Sequence, residues 1–116
     1  GCNLFCPWCS NPEGMTRRPG ATALTPRDIQ KEAESCKMMF FDGGGVTFTG
    51  GECALQHNAL LKTVLLLKEN GIHTAIETNA SLKNVLPLYF EVDYMIADFK
   101  SAKKAASCAH SAYKGL

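Results

Sequence analysis

The chain has 116 residues, enough for one small domain, with 46% hydrophobic and 20% charged side chains and a net charge of +1. That balance argues against a nucleic-acid footprint or a patch for acidic membranes. The longest apolar run, Val64-Leu65-Leu66-Leu67, is far too short to span a bilayer, so neither nucleic acid nor membrane is expected as a partner, and no signal peptide is read.

Residues 1–24 are rich in Pro, Gly, Asn, Ser and Thr and are predicted as loop. Thr25-Pro26-Arg27-Asp28 starts a helix: Thr25 can cap it, and Pro26 sits where a missing N–H costs nothing. Ile29, Ala33, Cys36 and Phe40 follow at helical spacing, which carries the helix to about Met39, before Asp42-Gly43-Gly44-Gly45 breaks it. Val46 to Thr49 is a β-branched and aromatic run, hence a strand, ending in Gly50-Gly51-Glu52. A second helix spans about Gln56 to Asn70, with Leu60, Leu61, Val64 and Leu67 on one face and Asn70-Gly71 as its stop. His73 to Thr78 is a second strand, ending at Asn79. A short helix is expected from Ser81 to Leu86, stopping near Pro87, then a third strand from Tyr94 to Phe99 and a weaker helix over 102–113.

Strands alternating with helices imply parallel strands joined by right-handed crossovers, an α/β fold. Each strand ends in polar or charged groups: Glu52, then Glu77-Thr78-Asn79, then Asp98 and Lys100. In (β/α) barrels the C-terminal strand ends form the active-site face.

Three of the six cysteines stand within Gly1-Cys2-Asn3-Leu4-Phe5-Cys6-Pro7-Trp8-Cys9, a Cys-x3-Cys-x2-Cys motif. The predicted helices and strands need no disulfide staples, so ligating cysteines in a reducing cytoplasm are the better reading. An ordinary [4Fe–4S] cluster takes one thiolate per iron. Three thiolates leave one iron open to the amino and carboxylate groups of a substrate. Zinc is the rival: a structural site asks for a fourth ligand, usually from a second Cys-x2-Cys pair, and a catalytic site would more often include His. Three unligated thiols on a loop would invite oxidation.

Gly50-Gly51-Glu52 has its own logic. Two glycines let a ligand approach the backbone, and a carboxylate beside them accepts from an ammonium. A phosphate loop is the competing reading, but Gly51-Glu52 stands where Lys-Ser/Thr is required. A plain β-turn is the bland one. Asp98 and Lys100, taken alone, read as a structural ion pair. His57, His73 and His110 share no spacing that suggests a site, and His57 reads as a solvated helix-start residue. Cys53 reads as a small buried residue near the site, and Cys36 and Cys108 as packing residues or exposed thiols.

The cysteine motif, with an aromatic residue just before its third cysteine, resembles the radical S-adenosylmethionine superfamily. Gly1 to Gly14, then Gly44 to Glu52, Ile72 to Asn79, and Asp98-Phe99-Lys100 resemble, in order and spacing, the activating enzymes of glycyl radical enzymes, the pyruvate formate-lyase activase type. The resemblance implies a partial (β/α) barrel of radical SAM type over 1–116, truncated at both ends. A strand would precede Gly1 and about two more βα units would follow Leu116. No ferredoxin-like insert is expected, because Ser10 to Leu24 contains no cysteine.

The resemblance also implies a [4Fe–4S] cluster on Cys2, Cys6 and Cys9, with S-adenosylmethionine as cofactor. Trp8 would lie near its adenine, and Gly50, Gly51 and Glu52 would hold its amino group. Lys100 would approach its carboxylate, and Asn79 would reach the cofactor. A monovalent cation would use Glu77, Thr78, the Ile96 carbonyl and Asp98, although the family pattern has Asp where this chain has Glu77. The implied activity is reductive cleavage to a 5′-deoxyadenosyl radical that takes hydrogen from a glycine of a partner glycyl radical enzyme. It requires a reducing, anaerobic cytoplasm and flavodoxin or ferredoxin as electron donor. Two rivals stay open: a radical enzyme acting on a small molecule or peptide, and an iron–sulfur module without catalysis.

Overall fold

The computed structural model describes residues 1–16 and 19–100. Among these residues three α-helices, α1 (Pro26–Ser35), α2 (His57–Glu69) and α3 (Val85–Tyr89), alternate with three strands, β1 (Gly45–Phe48), β2 (His73–Thr78) and β3 (Tyr94–Ala97). The strands form one parallel sheet in the order β1-β2-β3. The α/β class with parallel strands is therefore as expected. The predicted helix over 102–113 and Cys108 lie outside the described residues.

Register explains how this sheet meets its helices. Phe48 pairs with Ile76, and Ile76 with Met95, so one row crosses all three strands. Successive residues of a strand point to opposite faces, and this row faces the helices. It packs with Leu60, Val64, Val85 and Leu88 in the main core. A second cluster joins Ala33 of α1 to Leu67 and Ile72, with Phe40 and Val46 against it. The other face is bare: Thr47, Glu77, Tyr94 and Ile96 are exposed. Parallel sheets are normally covered on both faces.

Several element limits differ from the sequence reading. Helix α1 begins as predicted, with a reciprocal cap in which Thr25 Oγ1 accepts from Asp28 N and Asp28 Oδ2 accepts from Thr25 N. It stops at Ser35 rather than Met39, and Lys37–Met39 tightens into a 3₁₀ turn. Met38 and Met39 are consequently exposed, although Phe40 still reaches the core. A 3₁₀ turn, Cys53–Gln56, precedes α2, and His57 at the start of α2 is half-buried rather than solvated. Helix α3 runs through Pro87 instead of stopping at it. Pro87 is the third helical residue, where the backbone N–H has no intrahelical partner and its loss removes no hydrogen bond. Strand β3 ends at Ala97, two residues short of Phe99.

Candidate cluster and cofactor site

The cysteine loop closes on itself and then onto the sheet. Cys2 N donates to Met15 O at 3.0 Å, and Cys9 N to Cys6 O at 3.1 Å. Leu4 and Cys6 are buried, with Cys2 and Cys9 packed against them. Glu52 N donates to Gly1 O at 2.9 Å, which docks the start of the loop on the turn after β1.

The two glycines of that turn have different causes. Gly50 has φ of +120°, a conformation open to glycine and strained for other residues. Gly51 has no room: an added Cβ would lie 2.2 Å from Gly1 O and 2.3 Å from Gly14 O. The close approach at Gly51 is thus made by the cysteine loop itself, where the sequence reading anticipated a ligand.

Glu52 is 2% exposed, and its carboxylate is a hub. Oε1 accepts from the Thr78 hydroxyl at 2.8 Å and from Ala54 N at 2.9 Å, while Oε2 accepts from Asn79 N at 2.9 Å. A buried carboxylate is tolerable only with such partners. Cys53 Sγ lies 3.9 Å from Oε1 as a fourth, weaker neighbour, so the carboxylate is held within the protein on both oxygens. Cys53, beside it, is buried as expected and donates to Glu77 O at 3.3 Å. Burial, and then the Glu52 charge, push the Cys53 thiol up to about 11.

Asn79 carries the site across to the cysteines. Its Nδ2 donates to Asn3 Oδ1 at 2.9 Å and lies 3.9 Å from Cys2 Sγ. Lys100 donates to Asp98, and this contact raises the Lys100 ammonium above its ordinary range, with Cys6 and Cys9 adding to the effect. Lys100 stands three residues past the end of β3 and is paired there with Asp98. Trp8 projects from that loop, 58% exposed.

The four residues implied for a cation stand on adjacent strand ends, with Glu77 paired to Ile96 and Thr78 to Ala97. Asp98 N extends the ladder by donating to Thr78 O at 2.8 Å. Their side chains are engaged in different directions: Glu77 accepts from Thr49 Oγ1 at 2.8 Å, Thr78 donates to Glu52, and Asp98 accepts from Lys100.

Sequence reasoning missed two participants, Asn3 and Ser81. Asn3 lies between two cluster cysteines and is 5% exposed. An Asn in a Pro- and Gly-rich segment looks like an ordinary loop residue, so nothing in the pattern marks it.

The donor set can be weighed against the group it would hold. Among the described residues, no three His, Cys, Asp or Glu side chains converge closely enough to hold a single metal ion. A [4Fe–4S] cluster takes one thiolate per iron. Three sulfur ligands on one loop, walled by buried Leu4, fit the cluster.

The family model of the Radical SAM superfamily matches residues 1–107. The chain belongs to that superfamily. Its radical SAM membership makes it a stretch of an enzyme whose cofactors are a [4Fe–4S] cluster and S-adenosylmethionine. It is 39% identical over 92 residues to a pyruvate formate-lyase-activating enzyme of Streptococcus mutans, covering 78% of this chain and 35% of the relative. It is 45% identical over 80 residues to one from Clostridium pasteurianum, covering 67% and 33%. A Staphylococcus aureus enzyme of the same name is 39% identical over 85 residues, covering 72% and 34%. The radical SAM chain thus spans about a third of the length of these curated relatives. Among the described residues no helix is long and apolar enough to cross a membrane.

Proposed function

We propose that this radical SAM chain is the cluster-bearing part of a glycyl-radical-enzyme activase. The observation that carries the reading is the docking of the cysteine loop on the strand ends: Gly1 O on Glu52 N at 2.9 Å and Asn79 Nδ2 on Asn3 Oδ1 at 2.9 Å. In this reading the docked loop would present its three thiols at the strand ends that carry Glu52, Asn79 and Lys100.

When bound, the cluster and S-adenosylmethionine supply reductive C–S cleavage and a 5′-deoxyadenosyl radical able to take hydrogen from a glycine Cα. The chain's own residues do the rest. Cys2, Cys6 and Cys9 would ligate three irons and leave the fourth for the cofactor's amino and carboxylate groups. Glu52, with the Gly50-Gly51 turn beside it, would hold the cofactor's ammonium. Lys100, paired with Asp98, would meet the carboxylate. Trp8, exposed on the loop, would lie near the adenine, and Asn79 would reach the cofactor from the β2 end. Glu77, Thr78, the Ile96 carbonyl and Asp98 form the candidate site for a monovalent cation.

The bare sheet face supports the rest of the architecture. A parallel sheet exposed on one side fits a partial (β/α) barrel whose interior face is Thr47, Glu77 and Ile96. Residues 1–116 then form one core unit without a ferredoxin-like insert. The partner is a glycyl radical enzyme, in keeping with the names of the relatives, and the setting is a reducing cytoplasm with flavodoxin or ferredoxin as donor.

Co-expression of the full-length protein with a glycyl radical enzyme, followed by EPR, tests this reading. A glycyl radical signal dependent on Cys6 is expected. Production of 5′-deoxyadenosine from S-adenosylmethionine and dithionite without any glycyl radical would favour a radical enzyme with another substrate. A bound cluster that yields no 5′-deoxyadenosine would exclude catalysis.

A further inference from the structure

Asn3, Ser81 and Asn79 form a closed ring of side-chain hydrogen bonds. Asn3 Nδ2 donates to Ser81 Oγ at 2.8 Å, Ser81 Oγ donates to Asn79 Oδ1 at 2.6 Å, and Asn79 Nδ2 donates to Asn3 Oδ1 at 2.9 Å. The ring joins residues 76 to 78 positions apart in the chain.

Its polarity is determined, not arbitrary. The two ends of an Asn amide are normally interchangeable in a structure. Here Ser81 N, which can only donate, lies 3.0 Å from Asn79 and requires an oxygen there. The Asn79 Nδ2 group therefore faces Asn3 and the cysteine loop. Asn3 must then present its oxygen to Asn79 and its nitrogen to Ser81. No member can flip without opposing two donors or two acceptors.

The consequence falls on Cys2. Asn79 Nδ2 has a second hydrogen beyond the one given to Asn3, and Cys2 Sγ lies 3.9 Å away. Leu4 N donates to the same sulfur at 3.4 Å. N–H groups directed at cluster sulfurs stabilise the more negative, reduced form, so they raise the reduction potential. Outer groups that orient such contacts tune a metal centre without touching the metal.

We propose that Asn3 is a positioning residue that, with Ser81, locks the Asn79 amide toward Cys2 Sγ and thereby raises the reduction potential of the cluster. This rests on the cluster reading given under Proposed function. The ring also ties the potential to the β2 end, because Asn79 N is held by Glu52 Oε2 at 2.9 Å.

The test is a redox titration of the full-length protein, reconstituted anaerobically without S-adenosylmethionine and followed by EPR. Asn3→Leu should make one-electron reduction less favourable by about twofold to tenfold, up to about 59 mV, with iron content unchanged. Ser81→Ala should shift the potential in the same direction, and Ser81→Thr, which keeps the hydroxyl, should restore the wild-type value. In an Asn79→Ala background Asn3→Leu should have no further effect, since it acts through Asn79. If Asn3→Leu lowers iron content, Ser81→Ala on the exposed end of the ring becomes the deciding variant, with the same expected shift. Unchanged potentials in Asn3→Leu and Ser81→Ala, or a shift that persists without Asn79, overturn the inference alone. A wild-type protein that binds no cluster overturns the cluster reading and this inference with it.

Discussion

The Thr78 hydroxyl donates to the buried Glu52 carboxylate at 2.8 Å and so ties the end of β2 to the turn after β1. Asn79 N, next along the chain, holds the other carboxylate oxygen. One acidic side chain thus sets the spacing of two strand ends and, through Glu52 N and Gly1 O, the seat of the cysteine loop.

Thr78→Val keeps the shape and removes that donor from a buried charge. The expected loss is about 1.5–3 kcal/mol, read by urea unfolding of the full-length protein. Glu77→Gln, whose carboxylate is exposed and bonded only to Thr49 among the contacts seen here, should change stability by less than about 0.5 kcal/mol. Equal effects would mean that Glu52 is not the hub its contacts indicate.

Gly51→Ala should unseat the cysteine loop. Its Cβ would overlap Gly1 O and Gly14 O, at a cost of roughly 1–3 kcal/mol if the backbone shifts to relieve it. Since Gly1 precedes the first ligand, reconstituted iron content should fall along with stability. A variant with full iron content would show that the loop seats elsewhere.

Cys6→Ala should abolish both cluster uptake and 5′-deoxyadenosine formation, because two thiolates leave two irons open. Lys100→Met should separate the two: cluster content stays, while the concentration of S-adenosylmethionine needed for half-maximal cleavage rises about tenfold or more, as expected for losing a charge-assisted partner. Iron analysis and product assays on the same preparations distinguish the variants.

Cys53 predicts a pH effect with a definite sign. Its thiol is pushed up from 9.0 to about 11 by burial and the Glu52 charge. Between those values the unfolded chain releases a proton that the folded chain keeps, so stability falls as pH rises through that window and is full below it. Unfolding titrations at pH 8 and pH 10 should show this decline, and Cys53→Ala should reduce it. Alkylation at pH 8 should reach Cys36, which is less buried, before Cys53.

Much of this molecule was legible in the chain. The strand His73–Thr78 and the Leu60–Val64–Leu67 stripe announced β2 and α2, because period and residue type act locally. The motif Cys2-x3-Cys6-x2-Cys9 announced a ligating loop, because three thiols so close in sequence stay close in space whatever the fold around them. Limits set by neighbours were less legible. Pro87 looked like a stop but lies in the first turn of α3, and Met39 looked α-helical but closes a tightened 3₁₀ turn.

What only the tertiary structure decided is which partners the polar residues take. Glu52 and Gly51 stood out in the sequence as ligand-facing. Folding shows Glu52 bonded to Thr78, Ala54 and Asn79, and Gly51 pressed against Gly1 and Gly14. Asn3 gave no sign at all, because its partners Ser81 and Asn79 are 78 and 76 residues away. Ligand types and strand ends follow from local chemistry; the bonds that hold a cysteine loop to a sheet depend on contacts between distant segments, which exist only once the sheet has formed.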